Sequence, residues 1–253
     1  QGCEDGNNLQ GTAQELGRLG YGEAESGAQR LAGIRGGNRY QQMPPAIRER
    51  FDALVPRLIE AAAETANPDA TLARGLDLLE AISRRAAYLA LLQQYPQALQ
   101  RVAQLVSASS WAASYLTRHP VLLDELLDAR LLEAAPDWAA FRAQLARELD
   151  EHEPDTERQM DIMREAHHAQ VFRLLAQDLG GMLALEKLSD HLSELADIML
   201  DLALRLVWRK LLKRHREEPQ FAVVAYGKLG GKELGYASDL DIIFLIIRQN
   251  VGG

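Results

Sequence analysis

Cysteine is nearly missing: Cys3 is the single example in 253 residues. One thiol in a polar terminus excludes a disulfide framework and a cysteine-based zinc site within one chain, and it fits a reducing cytoplasm. Proline is sparse at 9 residues and glycine ordinary at 19, which excludes collagen-like and low-complexity chains. A cationic surplus is also lacking. The formal net charge of -8 argues against a general phosphate-backbone binder, so nucleic acid is not an expected partner. No run approaches the roughly 20 uncharged apolar residues that span a bilayer, and no membrane partner is expected. The opening Gln1-Gly2-Cys3-Glu4-Asp5 lacks the basic-then-apolar build of a signal peptide.

What is present is an ordinary globular composition, 47% hydrophobic and 25% charged, long enough for one or two domains with a sizeable core. The chain starts without methionine and stops at Val251-Gly252-Gly253, just past an apolar run. Both ends read as cut boundaries of a longer protein.

From Leu9 to Arg216 the pattern is helical, rich in Ala, Leu, Glu, Gln and Arg and poor in β-branched residues. Breaks at Gly36-Gly37-Asn38, Pro44-Pro45 and Asn67-Pro68-Asp69, with Pro96, Pro120, Pro136 and Pro154 suiting helix first turns, divide it into about eight to ten helices. No fixed period recurs, so no solenoid is expected.

The clearest helix is placed at about Ser189 to Arg214, where Leu188, Leu192, Leu195, Met199, Leu202 and Leu206 recur at steps of four and three. Ser189 is assigned as its N-cap. Arg209, Lys210, Lys213, Arg214 and Arg216 suit the negative end of its dipole. A second long helix follows Pro154. The acidic run Asp150-Glu151-His152-Glu153 has consecutive rather than spaced ligands and reads as a solvated linker, so the domain boundary is set near residue 150. His167 and His168, as immediate neighbours on a helix, cannot face one ion together. Trp111, Trp138 and Trp208 are assigned to core packing rather than base stacking.

The texture changes after Glu217-Glu218-Pro219. Phe221-Ala222-Val223-Val224-Ala225 reads as a strand, and it runs into Tyr226-Gly227-Lys228-Leu229-Gly230-Gly231, a glycine-rich turn of the kind that lets backbone approach a phosphate. Ser238-Asp239-Leu240-Asp241 then opens a second apolar strand, Ile242 to Ile247. On a strand, residues two apart share a face, so Asp239 and Asp241 are expected to reach one Mg2+, a hard cation that completes its shell with substrate phosphates, while Leu240 points into the core. The alternative is a turn residue followed by an exposed strand residue.

Strand, Gly-Gly turn and Asp-x-Asp strand together resemble the DNA polymerase β-like nucleotidyltransferase superfamily. The run FAVVAYGKLGGKELGYASDLDIIFL, Phe221 to Leu245, resembles more closely the glutamine synthetase adenylyltransferase family, and its Gly235-Tyr236 version looks like the adenylylating half. Tyr115-Leu116-Thr117-Arg118-His119-Pro120 and Lys187-Leu188-Ser189-Asp190-His191-Leu192 also look like family segments.

The resemblance implies a mainly α fold, a multi-helix array followed by the first strands of an α/β nucleotidyltransferase domain. Residues 1–150 would be a helical connector and regulatory region, and 151–253 the truncated start of the transferase domain. The implied activity is transfer of AMP from ATP to a tyrosine of glutamine synthetase in a cytoplasmic enzyme, with the PII signal protein as a further partner. Gly230, Gly231 and Ser238 would donate hydrogen bonds to the triphosphate, Lys228 would add positive charge, and Asp239 and Asp241 would hold the metals. The superfamily takes a third carboxylate from a later strand, which this sequence does not reach, so the piece itself is expected to be inactive. Arg248 to Gly253 does not look like family sequence. Two alternatives stand beside this reading: a helical docking module without catalysis, and another nucleotidyltransferase such as an antibiotic-modifying enzyme.

Overall fold

The computed structural model describes residues 2–127, 134–213, 217, 219 and 221–246, with side chains from Leu9 to Leu245. Arg214, Arg216 and the closing residues 248–253, to which the sequence assigned roles or an uncertain origin, lie outside the described residues. The chain divides into two compact units, Gln1–Ala129 and Arg130–Gly253. Among the described residues it is mainly helical, with a single two-stranded antiparallel sheet.

The first unit is all helix: α1 (Gly2–Arg18), α2 (Ala24–Gly36), α3 (Asn38–Gln41), α4 (Pro45–Ala63), α5 (Pro68–Ile82), α6 (Ala86–Gln94), α7 (Pro96–Ala108) and α8 (Ser110–Arg118), then a 3-10 helix at Pro120–Leu127. The expected breaks coincide with helix ends because Pro45, Pro68 and Pro96 occupy first turns, where a missing N–H costs nothing. The α4 face Phe51, Leu54, Val55, Leu58 and Ala62 packs on Leu72, Leu76, Leu79 and Ile82 of α5. Their close approach depends on Gly75, where a Cβ would come within 2.6 Å of Leu58 Cδ1. Helix α2 has no side-chain cap of its own. Asp69 of α5 serves instead, accepting the N–H groups of Gly22 at 3.0 Å and Glu23 at 2.9 Å.

The second unit holds α9 (Trp138–Glu151), α10 (Thr156–Leu179) and α11 (Leu185–Lys210). Asp137 and Asp155 cap α9 and α10 by accepting the N–H groups of Ala140 and Arg158. Leu145, Leu149, Ile162, Ile198 and Leu202 form a shared core. Helix α9 lies almost wholly before residue 151 and yet packs with the helices that follow it. Residues 150–153 are thus not a linker between bodies: Asp150 and Glu151 end α9, and Arg209 pairs with Asp150 at 2.7 Å. Buried Gln159 donates to Leu149 O at 2.7 Å and accepts from Lys210 Nζ at 2.5 Å, which satisfies its amide.

Helix α11 begins earlier than the sequence reading placed it. Leu185, Glu186 and Lys187 are good helix formers and Leu188 is buried, so the chain is already helical when it reaches Ser189. Ser189 is therefore not the N-cap; its hydroxyl donates to Leu234 O at 3.2 Å. The three tryptophans are half-buried rather than fully in the core. Trp138 packs on the second-unit core while its indole N–H donates to His191 Nδ1 at 3.1 Å, and Trp208 lies edge-on to Phe221.

Strand β1 (Phe221–Ala225) pairs antiparallel with β2 (Ile242–Ile246) in the register Phe221 with Ile246 to Ala225 with Ile242. Between them lies α12 (Gly227–Gly230), a single turn anchored by buried Leu229. No helix among the described residues is long and apolar enough to cross a membrane.

Candidate active site

The end of the sheet brings the glycine turn and the acidic segment together. Tyr226 N–H donates to Asp241 O at 2.8 Å, which extends the ladder one pair past the strands and fixes Asp241 beside the start of α12. Gly227 there has a φ of +53°, and a Cβ on it would lie 2.5 Å from Asp241 Oδ2. Only glycine both adopts that conformation readily and leaves room for the carboxylate.

Gly230 is required for a different reason: its Cβ would meet Ala225 O at 2.7 Å, so the turn folds back on the strand it leaves. Gly231, in an ordinary right-handed conformation, has nothing nearer its Cβ position than Gly227 O at 3.4 Å. The expected donors are already engaged here. Gly230 N–H donates to Tyr226 O at 2.9 Å and Gly231 N–H to Gly227 O at 3.0 Å, since the turn closes as helix. The Ser238 hydroxyl accepts from Gly235 N–H at 2.9 Å, and Ser238 N–H donates to Gly235 O at 3.1 Å. Its own hydroxyl proton is left to donate elsewhere. Lys228 is exposed on α12.

Two expectations about the acidic segment are corrected. Asp239 and Asp241 do not share a strand face, because β2 starts only at Ile242; both lie in the approach to it and are exposed. Leu240 is not turned into a core but is 39% exposed, and Ile243, Phe244 and Leu245 on β2 are at least as open. A sheet of two strands has too little surface to bury them.

The approach segment is tied to the helices at several points. Leu234 is buried and accepts from Ser189. The Tyr236 hydroxyl donates to Asp178 Oδ2 at 2.9 Å, and burial, this hydrogen bond and the aspartate's charge push the phenol well above its ordinary range. Lys232, at φ 54°, lies near Asp197 of α11. Burial and then Glu194 hold the Asp197 carboxyl up, with Lys232 opposing them. A cavity of about 360 Å³ lies between Leu200 and Leu204 of α11 and Phe221, Val223 and Ala225 of β1, with Leu229 also in its lining.

Asp178 was not selected from sequence, and Gly227 and Tyr236 were noted only as parts of the motif, without a role of their own. Asp178 carried a readable signal, an acid in the last turn of a helix, where the dipole disfavours it. Gly227 carried the signal of the glycine-rich turn, but nothing in it pointed to Asp241.

As a donor set, Asp241 against a bare glycine and Asp239 two residues before it offer hard oxygens to a divalent cation. Among the described residues no group of three His, Cys, Asp or Glu side chains could hold a metal ion. Two carboxylates alone would supply only part of the oxygen shell that a hard divalent cation takes.

Residues 99–251, more than half of the chain, match the family described as glutamate-ammonia ligase adenylyltransferase. The chain is 70% identical over 230 residues to the bifunctional glutamine synthetase adenylyltransferase/adenylyl-removing enzyme of Aromatoleum aromaticum, covering 91% of this chain and 24% of that protein. The enzyme of the same name from Chromobacterium violaceum is 59% identical over 91% of this chain and 26% of its own length. That from Ralstonia nicotianae is 54% identical over 95% and 25%. The chain thus spans about a quarter of the length of the curated relatives it matches. Because the match takes in α7 onward and the whole glycine-turn and Asp-x-Asp segment, the chain belongs to the glutamate-ammonia ligase adenylyltransferase family.

Proposed function

We propose that this chain contributes the ATP-handling edge of a cytoplasmic enzyme that transfers AMP from ATP to a tyrosine of glutamine synthetase. The observation that carries this reading is the Asp241 carboxylate seated against Gly227, at the mouth of the glycine turn. Asp239 and Asp241 hold Mg2+, with Gly230 and Gly231 giving the turn a bare surface for the triphosphate. Ser238 donates its hydroxyl proton and Lys228 lends charge to the phosphates. When bound, Mg2+ neutralises charge on the phosphates and on the departing pyrophosphate. The chain's own part is to orient the α-phosphorus for in-line attack by the acceptor tyrosine oxygen. The functional division is a helical connector through residue 150 and a transferase region from 151, with α9 packed on α10 and α11.

Two carboxylates are a partial metal shell, and the chain alone is expected to bind Mg·ATP and to transfer little AMP. Incubation with Mg2+, labelled ATP and glutamine synthetase tests both statements. Label on glutamine synthetase at an enzyme-like rate contradicts the inactivity, and failure to bind Mg·ATP contradicts the site. A second reading is a helical regulatory or docking module that binds PII or glutamine synthetase without catalysis, with the separately packed Gln1–Ala129 unit as its body. Titrating each protein into the chain tests this, and binding of neither removes it.

A further inference from the structure

The metal and phosphate roles proposed above leave Tyr236 and Asp178 unused. Asp178 sits in the last turn of α10, a turn with no basic residue, where the helix's negative end disfavours a carboxylate. Breaking a local rule at that point implies a compensating interaction. The structure supplies one in the Tyr236 hydroxyl, which donates to Asp178 Oδ2 at 2.9 Å. Hydrogen bonds to an ionised acceptor are roughly twice as strong as neutral ones.

The position of this bond along the chain gives it leverage. The segment between α12 and β2 has no regular structure, and it is fixed at its far end where Tyr226 N–H meets Asp241 O. At its near end, past buried Leu234 and its bond from Ser189, Tyr236 is the last tie to the helices before Ser238. Gly235 and Ser238 are bonded to each other in both directions, so the anchor at Tyr236 extends to Ser238. Asp239 is then held between two fixed points with very few free torsions.

We propose that the Tyr236–Asp178 hydrogen bond is a positioning tie that sets Ser238 and Asp239 against the glycine turn. Tyr236 and Asp178 thereby govern nucleotide and metal binding without touching either ligand. The effect on Mg·ATP rests on the nucleotide-handling reading given above; the tie itself does not.

Amide hydrogen exchange on the 253-residue chain tests it, with Mg·ATP titration run in parallel. Y236F removes the donor, D178L removes the acceptor, and D178N keeps an acceptor oxygen. Exchange at the Gly235 and Ser238 amides should rise about tenfold or more in Y236F and D178L, with α11 amides unchanged and D178N between these variants and the parent chain. Mg·ATP dissociation constants should rise in Y236F and D178L by a similar factor. Unchanged exchange at Gly235 and Ser238 in both Y236F and D178L overturns the tie. Equal acceleration throughout α10 and α11 overturns it too, because the bond then acts on the whole fold. If the parent chain fails to bind Mg·ATP, the nucleotide-handling reading falls, and the exchange data still decide whether the tie exists.

Discussion

Gly227 and Asp241 are spatial complements: the carboxylate occupies the volume that any side chain at position 227 would need, with 2.5 Å between a built Cβ and Oδ2. Fourteen positions apart in sequence, the two are joined by the pairing of Tyr226 with Asp241 at the end of the sheet.

Gly227→Ala should therefore cost stability and displace the acid at once. The left-handed backbone alone costs about 1–2 kcal/mol for a residue with a Cβ. Urea unfolding of the second unit should shift accordingly, and Mg·ATP affinity should fall with it. A variant of unchanged stability and affinity would mean that the carboxylate does not depend on that glycine.

The two neighbouring glycines should separate cleanly. A methyl on Gly230 meets the Ala225 carbonyl at 2.7 Å, a backbone atom that cannot step aside. Gly230→Ala should destabilise by about 1–3 kcal/mol, the range for overpacking. Gly231→Ala meets only ordinary contacts, so thermal stability should be unchanged or raised by up to about 1 kcal/mol. Its Mg·ATP affinity should still drop if the bare surface of Gly231 faces phosphate. Equal effects of the two substitutions on stability would contradict the assigned packing.

How far the sequence carried this reading depends on the kind of interaction. Helix ends in the first unit were legible because Pro45, Pro68 and Pro96 act locally, through their own φ and missing N–H. The Leu188–Leu202 periodicity was legible because it records one face of one helix. Ser189 was misjudged as a cap because nothing local marks a start at Leu185; Leu234, which engages its hydroxyl, is 45 residues away. Asp241 lies beside Gly227, yet the strand register around Asp239 and Asp241 could not be read: whether the ladder begins at 239 or 242 is set by pairing with β1. The engagement of the Gly230 and Gly231 amides within α12 escaped for the same reason, since glycine permits both an open phosphate-cradling turn and a closed helical one.

In the first unit, Gly75→Ala should be destabilising even though alanine is the better helix former. The gain in propensity is at most about 1 kcal/mol. The new methyl would come within 2.6 Å of Leu58 Cδ1 and 2.9 Å of Cδ2, and Leu58 is fully buried with no space to yield. A net loss of about 1–2 kcal/mol in urea unfolding is expected. A stabilised variant would show that α4 and α5 do not cross this closely.

Stability should also fall at alkaline pH through Tyr115. Burial raises its phenol to about 12, with Arg118 opposing. Unfolded, the same phenol ionises near its ordinary value of about 10. Its contribution is complete below that value and is lost as pH rises toward 12, by up to about 2–3 kcal/mol. Tyr115→Phe should flatten the decline in urea midpoint across that window, and a decline as steep as in the parent chain would remove Tyr115 as its source.

The most direct measurement is a calorimetric titration of Mg·ATP into the parent chain and into the Asp239→Asn and Asp241→Asn variants, each verified as folded by its thermal transition. Binding by the parent, weakened at least tenfold by either substitution and dependent on the divalent ion, is the expected result. Equal affinity in all three proteins, or affinity indifferent to the ion, would contradict a metal–nucleotide role for this pair of carboxylates.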